Sequence, residues 1–463
     1  MTLEQAARAA GADILYPAEV TLCGAASDSR KVTPGQLFVA IPGERVDGHD
    51  HAVAAVEAGA AAVLAQRDPF DGRPLAPVLL VDDSVAALGR IGHAWRAAFP
   101  GNVAGITGTA GKTTTKELLA HILSQHGKTA RNMLNLNTQV GMPVSMMAAD
   151  GDEAFWVMEA GISNPDDMDE LGPVMEPDLA IILNVGAGHT QGLGQKGTAY
   201  YKARLLRHIS RSGSALVCAD YDDLVREARA IRPDAVFFST AGRPVSYRSS
   251  YLGLDENGRG RYRLWLDGTS LDVDSALSGS YAAENIIAAA AAAHMLGLSL
   301  EEIAQGIRTA PLPAQRFNRR DVPGWIVIDD TYNANPLSSG RMIEAAAELA
   351  RERDFVCVMG EMRELGDVAE QEHAELGRTL ARSGCKAVFW VGGHGGDVEA
   401  GLRAERFSGF YAACPAPEDF GRELERWEGL RDGRSALILF KGSRGNRLER
   451  FVNLFMESHS HAV

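Results

Sequence analysis

The chain has 463 residues, 46% of them apolar and 23% charged, with a formal net charge of −14. That length exceeds what one hydrophobic core serves and predicts two to four domains. The acidic balance excludes a binder of duplex or single-stranded nucleic acid, which works through a broad basic surface.

In chain order, "MTLEQAARAAGADILYP" opens as an amphipathic helix and not as a signal peptide. Next come a short strand, "QLFVAI" (36–41), and an Ala-rich stretch, "HAVAAVEAGAAAVLA" (51–65), whose pattern predicts a helix. This first block, 1–98, closes at the break "FPGN". The second block, 99–312, alternates buried-strand runs ("VAGIT", "FWVMEA", "LAIILNV", "SALVCA") with helical segments. That alternation is the signature of a parallel sheet with crossover helices. It ends in the helix "YAAENIIAAAAAAHMLG", whose apolar run is too short and too Ala-rich to span a bilayer. Pro311 and Pro313 in "TAPLPAQRF" then predict a hinge. The third block, 313–463, repeats the alternation in "WIVIDD", "DFVCVMG", "AVFWVGG" and "ALILFKG". It is Rossmann-like but lacks G-x-G-x-x-G, so no dinucleotide is inferred.

The expected fold is therefore α/β in three domains: a smaller N-terminal α/β domain, a central parallel-sheet phosphate-loop ATPase domain, and a Rossmann-like C-terminal domain. Five scattered cysteines with no C-x-x-C spacing argue against disulfides and zinc. A cytoplasmic location is expected.

The stretch "GITGTAGKTTTKE" (105–117) carries the chemistry. The common phosphate loop would place its first glycine at 106, where this chain has Ile106. Gly108 and Gly111 instead let the backbone curl between the strand "VAGIT" and the helix "KTTTKELLAHILSQHG". Converging N–H groups and the helix N-terminus then attract phosphate oxygens. Lys112 can reach the β- and γ-phosphates of ATP, and the Thr113 hydroxyl can ligate Mg²⁺. Such a site needs further ligands at neighbouring strand ends. Glu159 ends "FWVMEAG" and His189 follows "LAIILNVGAGH", with Lys202 in "YYKARLL" a third candidate.

"TGTAGKTTTKE" resembles the shortened phosphate loop of the Mur ligases, the ATP-dependent amide-forming enzymes of peptidoglycan precursor synthesis. The resemblance extends through "SDSRKVTPGQLFVAIPGERVDGHDH" (27–51) and through "DDTYNANP" (329–336), "GEMRELG" (360–366) and "KGSR" (441–444). The last three look like the branch that takes D-alanyl-D-alanine (D-Ala-D-Ala) as acceptor. The resemblance implies that the terminal carboxylate of a UDP-MurNAc-tripeptide attacks the γ-phosphate of ATP. The dipeptide amine then displaces phosphate from the resulting acyl phosphate. It also implies the residues that do this.

By that correspondence Gly108, Thr109, Ala110, Gly111, Lys112, Thr113 and Thr114 cradle the phosphates. Thr113 and Glu159 hold one Mg²⁺, while His189 and Lys202 serve a second, with Lys202 carbamylated. Asn285, Arg316, Tyr332 and Asn333 meet the adenosine. Asn135, Asn137, Thr138, Asn335, Lys441, Ser443 and Arg444 meet the tripeptide and dipeptide ends. Ser27, Asp28, Ser29, Arg30, Asp47, Gly48 and His49 take the UDP-sugar. A monomer with no membrane span is implied.

The chain departs from the family pattern at Tyr281-Ala282, where His-Asn is usual, and in "GISNPDDMDEL" after Glu159. The competing readings are a Mur-type or folylpolyglutamate-type ligase with another acceptor, and a regulatory ATP-binding protein. The absence of an Asp-Asn-Pro-Arg motif disfavours the tripeptide-forming ligase, the first block disfavours the folylpolyglutamate type, and Lys112, Glu159, His189 and Lys202 disfavour the regulatory protein. Three domains feeding one site also predict rotation of the third about Pro311 and Pro313.

Overall fold

The structure is a computed structural model that describes residues 1–43, 46–133, 136–186, 196–430 and 433–460. Its described residues form three sheets, met in sequence order. The first contains β1 (Asp13–Leu15), β2 (Ala25–Ala26), β3 (Leu37–Val39), β4 (Ala62–Ala65) and β5 (Val78–Leu80), in the order β1-β5-β4-β3-β2. Only its β1–β5 pairing is antiparallel.

The helix expected over 51–65 is corrected here. It stops at Glu57, and Ala62–Ala65 is the buried strand β4. Gly59, at φ +106°, takes the left-handed turn that ends the helix. An Ala-Val-Leu run carries either structure, and burial between β3 and β5 selects the strand.

The second sheet comprises β6 (Asn102–Thr107), β7 (Thr129–Arg131), β8 (Phe155–Glu159), β9 (Leu179–Ile182), β10 (Ser214–Cys218), β11 (Val236–Ser239), β12 (Tyr247–Leu254), β13 (Gly260–Leu266) and β14 (Thr269–Ser275). Their order is β14-β13-β12-β11-β10-β9-β6-β8-β7. From β7 to β12 the neighbours run parallel, as the alternation predicts. The β12–β13–β14 end is an antiparallel meander that the alternation does not predict.

Strand β6 is an interior strand, third from the β7 edge, with β8 on one side and β9 on the other. The carboxyl ends of these three strands border the crevice where such sheets bind ligands. Against β9 to β13 lies the helix Ala282–Met295, whose residues Ala282 to Ala293 are all buried. Its alanines let it pack closely on the helix Lys112–Leu123, so the longest apolar run is an interior helix. Among the described residues no helix is long and apolar enough to cross a membrane.

The third sheet contains β15 (Asn318–Val322), β16 (Trp325–Asp330), β17 (Asp354–Gly360), β18 (Ala387–Val391), β19 (Phe410–Ala413) and β20 (Ala436–Lys441), ordered β15-β16-β20-β17-β18-β19. All pairs are parallel except the edge β15–β16. Apolar clusters cover both faces, which is why its central strands read as continuous apolar runs. Strands β16, β20 and β17 are neighbours, so "TYNANP", "GSR" and "EMRELG" emerge side by side from their carboxyl ends.

The first two sheets are joined tightly. Arg96, on the helix Ser84–Ala98, donates to the carbonyls of Met175 (3.2 Å) and Glu176 (3.1 Å) and to Asp178 Oδ2 (2.7 Å). Asp178 Oδ2 also accepts from Val103 N (2.8 Å) at the start of β6. Gly92 of the same helix lies so close to Pro143 that an added Cβ would fall 2.6 Å from the proline Cβ. The third sheet is reached instead through 310–317, where Gln315 (φ +57°) and Phe317 (φ +51°) both hold left-handed backbone.

Candidate active site

The loop 108–111 leaves β6 and enters the helix Lys112–Leu123 through Gly111, at φ +80°. The N–H groups of the first helical turn have no intrahelical acceptor, and Lys112, Thr113 and Thr114 line the cavity in front of the loop. Two other loop N–H groups point backward: Asn184 Oδ1 accepts from Thr109 N (3.0 Å) and Ala110 N (2.7 Å). Asn184 Nδ2 returns a bond to Ala110 O (3.0 Å). The Thr109 hydroxyl is buried with no partner among the described residues.

Asn285 packs against Gly111, and its Oδ1 accepts from Thr115 Oγ1 (3.2 Å). A Cβ at Gly111 would lie 2.2 Å from that Oδ1. Gly111→Ala therefore combines a clash with a left-handed backbone, a strain of about 1–3 kcal/mol. The expected outcome is nucleotide affinity weakened roughly ten- to a hundredfold, measured by titration with ADP. An unchanged dissociation constant would show that the loop reshapes freely.

Two lysines converge on one carbonyl. Lys112 Nζ donates to Gly108 O at 2.8 Å and Lys202 Nζ donates to the same oxygen at 3.1 Å. Burial lowers the pKa of Lys112, partly offset by Glu159. Lys202 is held well below the ordinary lysine value, first by burial and then by the charge of Lys112.

Opposite them, Glu159 is 3% exposed. Its Oε2 accepts from Thr113 Oγ1 (2.7 Å) and its Oε1 from Asn137 Nδ2 (2.9 Å). Its backbone is clamped by Asn132, whose Oδ1 accepts from Glu159 N (2.9 Å) and whose Nδ2 donates to Glu159 O (3.0 Å). Buried Lys116 donates to Asn132 O (2.6 Å) and stands 3.9 Å from Glu159 Oε2. Thr138 is engaged locally, its Oγ1 accepting from Gly141 N (3.3 Å).

The third sheet closes the cavity. Arg316 Nη2 donates to Thr113 Oγ1 (2.9 Å), and its guanidinium stacks 4.2 Å from the Tyr332 ring centre. Asn335 caps the helix Pro336–Ala350 and its Nδ2 reaches Thr109 O at 3.4 Å. Lys441 Nζ is buried against Asp330 Oδ2 (2.6 Å) and Asn333 O (3.0 Å). Ser443 Oγ accepts from Arg363 N (2.9 Å), and Arg444 Nη1 donates to Gln315 Oε1 (3.3 Å). The enclosed space is about 780 Å³.

The structure thus gathers into one cavity the phosphate-loop residues Thr109 to Thr114 with Asn137, Thr138, Glu159, Asn285, Arg316, Tyr332, Asn333, Asn335, Lys441, Ser443 and Arg444. Lys202 joins from behind the loop. His189 and Asn135 lie outside the described residues.

The first-sheet residues do not line this cavity. Asp28 accepts from Arg30 through its backbone N–H (3.1 Å) and its guanidinium (2.9 Å), and these bonds hold its carboxyl low, at about 2. Asp47 caps the turn Gly48–His51, and the buried His49 ring has both nitrogens engaged, by Asp47 Oδ1 (2.6 Å) and Gln66 N (2.9 Å).

Sequence reading missed Asn132, Lys116, Asn184, Glu284 and Arg341. Asn132 stands in the same "NMLNLN" segment as the predicted asparagines and Asn184 ends "LAIILN", so both carried a local signal. Tyr281, at the departure from the family pattern, lines the cavity with its ring 5.9 Å from that of Phe317. Ala282 is fully buried in the core.

Comparison with known proteins follows the same three parts. Family models match residues 23–96 ("Mur ligase family, catalytic domain"), 106–293 ("Mur ligase middle domain") and 315–444 ("Mur ligase, glutamate ligase domain"). The UDP-N-acetylmuramoyl-tripeptide–D-alanyl-D-alanine ligase of Escherichia coli K12 is 30% identical over 96% of each chain. A crystal structure of MurF from Acinetobacter baumannii superposes with a TM-score of 0.88 at 30% identity, covering 98% of both chains. A MurF ligase from Thermotoga maritima in complex with ADP gives 0.83 at 27% identity, covering 95% of this chain and 98% of that one.

Proposed function

The chain belongs to the Mur ligase family, and from that premise we propose that it joins D-alanyl-D-alanine to a UDP-N-acetylmuramoyl-tripeptide. ATP is converted to ADP in the process, through an acyl phosphate. The observation that carries this reading is the meeting of the phosphate loop, Glu159 and the third-sheet motifs around one cavity. A ligase must hold ATP, a carboxylate and an amine together, and each of those parts supplies one contact set.

The donor set fits Mg²⁺. Thr113 Oγ1 and Glu159 Oε2 are hard oxygens 2.7 Å apart, and Mg²⁺ takes such ligands beside substrate phosphates. When bound, it neutralises charge as a carboxylate approaches a triphosphate. Lys202 suits a carbamate, because carbon dioxide adds to a neutral amine and burial favours the neutral form. His189 completes this set by family correspondence.

Lys112 and the first-turn N–H groups orient the β- and γ-phosphates, and Arg316 stands ready for phosphate or ribose oxygens. Tyr281 and Asn285 border the adenine side. Arg444, exposed at the end of β20, suits a substrate carboxylate. The first sheet takes the UDP-sugar end. We read the working unit as a monomer because residues of a single chain line the cavity, and a cytoplasmic location accords with its use of ATP.

The test is phosphate release from ATP in the presence of the UDP-tripeptide, with and without D-Ala-D-Ala. Release that depends on both is expected. Release indifferent to the dipeptide would assign a different acceptor, and release without the tripeptide would refute the ligase reading.

A further inference from the structure

Behind the phosphate loop lies a largely buried polar chain that crosses from the second sheet to the third and reaches the cavity wall at Arg341. Glu284, in the first turn of the helix Ala282–Met295, is 3% exposed. Its Oε1 accepts from Asn184 Nδ2 in a short bond. Its Oε2 accepts from Arg341 Nη2 (2.9 Å) and from Tyr221 OH (3.3 Å), and Arg341 Nη2 also donates to Tyr221 OH (3.0 Å). Arg341 belongs to the helix Pro336–Ala350 of the third sheet.

The chemistry of Asn184 gives this chain of contacts a direction. An amide offers two faces, and only its oxygen can accept the N–H groups of Thr109 and Ala110. A carboxylate accepts and cannot donate, so Glu284 captures the amide nitrogen and leaves the oxygen for the loop. Without that anion only Ala110 O would hold the amide nitrogen, and a flipped amide would leave Ala110 N facing a nitrogen and Thr109 N with the Asn184 main-chain carbonyl (3.0 Å) alone. Holding an anion in the interior is costly unless a cation pairs with it. Arg341 supplies that cation, and it does so only when the third sheet is docked.

We propose that Glu284 and Arg341 are positioning residues for nucleotide: docking of the third domain sets the Asn184 amide and thereby the shape of the phosphate loop. This inference deepens the ligase reading and rests on it for its kinetic arm. Its binding arm needs only that the loop takes a nucleotide.

The experiment is a double-variant cycle on the full chain with Arg341→Met and Glu284→Leu. Binding of ADP, KM for ATP and KM for D-Ala-D-Ala are measured, together with Tm. Each single variant is expected to weaken ADP binding and raise KM for ATP at least fivefold. KM for D-Ala-D-Ala should stay within twofold. Arg341→Met leaves a buried carboxylate unpaired and lowers Tm. Adding Glu284→Leu removes that carboxylate, so the double variant recovers Tm while ADP binding stays as weak as in either single variant. Arg341→Lys is expected to restore part of the binding.

A double variant that regains both Tm and nucleotide affinity would reduce the pair to a structural contact and overturn the proposal. So would ADP binding within twofold of the parent in Arg341→Met, or losses that multiply in the double variant. If Glu284→Leu fails to fold, Arg341→Met still decides, because its helix position is partly exposed. Loss of ligation in the parent with intact ADP binding would count against the ligase reading alone.

Discussion

Lys202→Met is expected to abolish ligation and, in the same molecule, to raise the melting temperature. Lys202 is 3% exposed, and among the described residues its amine has one hydrogen bond, to the Gly108 carbonyl it shares with Lys112. An ammonium so placed is desolvated and lies beside a like charge, which is why its pKa falls far below the usual value. Methionine has a similar length and no charge. Replacing the amine should recover about 1–3 kcal/mol, or a few degrees in Tm.

The sign with pH follows from linkage. Between the lowered folded value and the ordinary value, the unfolded chain binds the extra proton. The cost of Lys202 is therefore full below the folded pKa and fades as pH rises toward the ordinary lysine value. The Tm gain of Lys202→Met should accordingly be larger at neutral pH than toward pH ~10, where it shrinks away. Calorimetry in bicarbonate-free buffer reads it, and a Tm no higher than the parent's at neutral pH would contradict the argument.

Activity should move the other way, falling on the order of a thousandfold if Lys202 carries the proposed carbamate, whose oxygens the variant lacks. In Lys202→Ala, short carboxylic acids should restore part of the rate by filling the vacated space. Failure of every such acid would count against the carbamate.

The second large effect is expected from Glu159→Gln, where shape is kept and charge is lost. The parent carboxylate accepts from Thr113 on one oxygen and Asn137 on the other, and Asn132 fixes its backbone. The amide can keep one of the side-chain bonds. It offers only one oxygen to a cation and loses the charge that supports protonated Lys112. Ligation should fall roughly a hundred- to a thousandfold, and the Mg²⁺ concentration for half-maximal rate should rise at least tenfold. Binding of the UDP-tripeptide should be unaffected. Phosphate release followed against Mg²⁺ checks this, and a titration curve superimposed on the parent's would remove Glu159 from the metal site.

The phosphate loop was legible because its chemistry is local: two glycines and Gly-Lys-Thr between a strand and a helix leave few alternatives. The third-sheet motifs were legible because each follows an apolar run, and adjacent parallel strands bring such ends together. The meander β12–β14 was not read, although β13 alternates exposed Arg261 and Arg263 with buried Tyr262 and Leu264. A search for continuous apolar runs passes over a strand with one wet face.

Residues 58–65 failed for the opposite reason, since alanine fits helix and buried strand alike and only Gly59 marks the change. Asn184, Glu284 and Arg341 lie 100 and 57 positions apart along the chain. No spacing rule joins them, and only the packed fold reveals that they form one chain of contacts.

Arg96 has a consequence for what the enzyme can measure. By tying the first sheet to the start of β6 through Asp178, it makes the two bodies behave as a single gauge of fixed span. On the reading proposed above, one jaw would take the sugar end and the other would present Thr113 and Glu159. Length is then judged by reach: a donor whose peptide is one residue short seats its nucleotide-sugar and leaves its carboxylate away from the phosphate. Selection of a tripeptide would then need no pocket for each residue, only two ends held at a set distance by contacts such as those of Arg96.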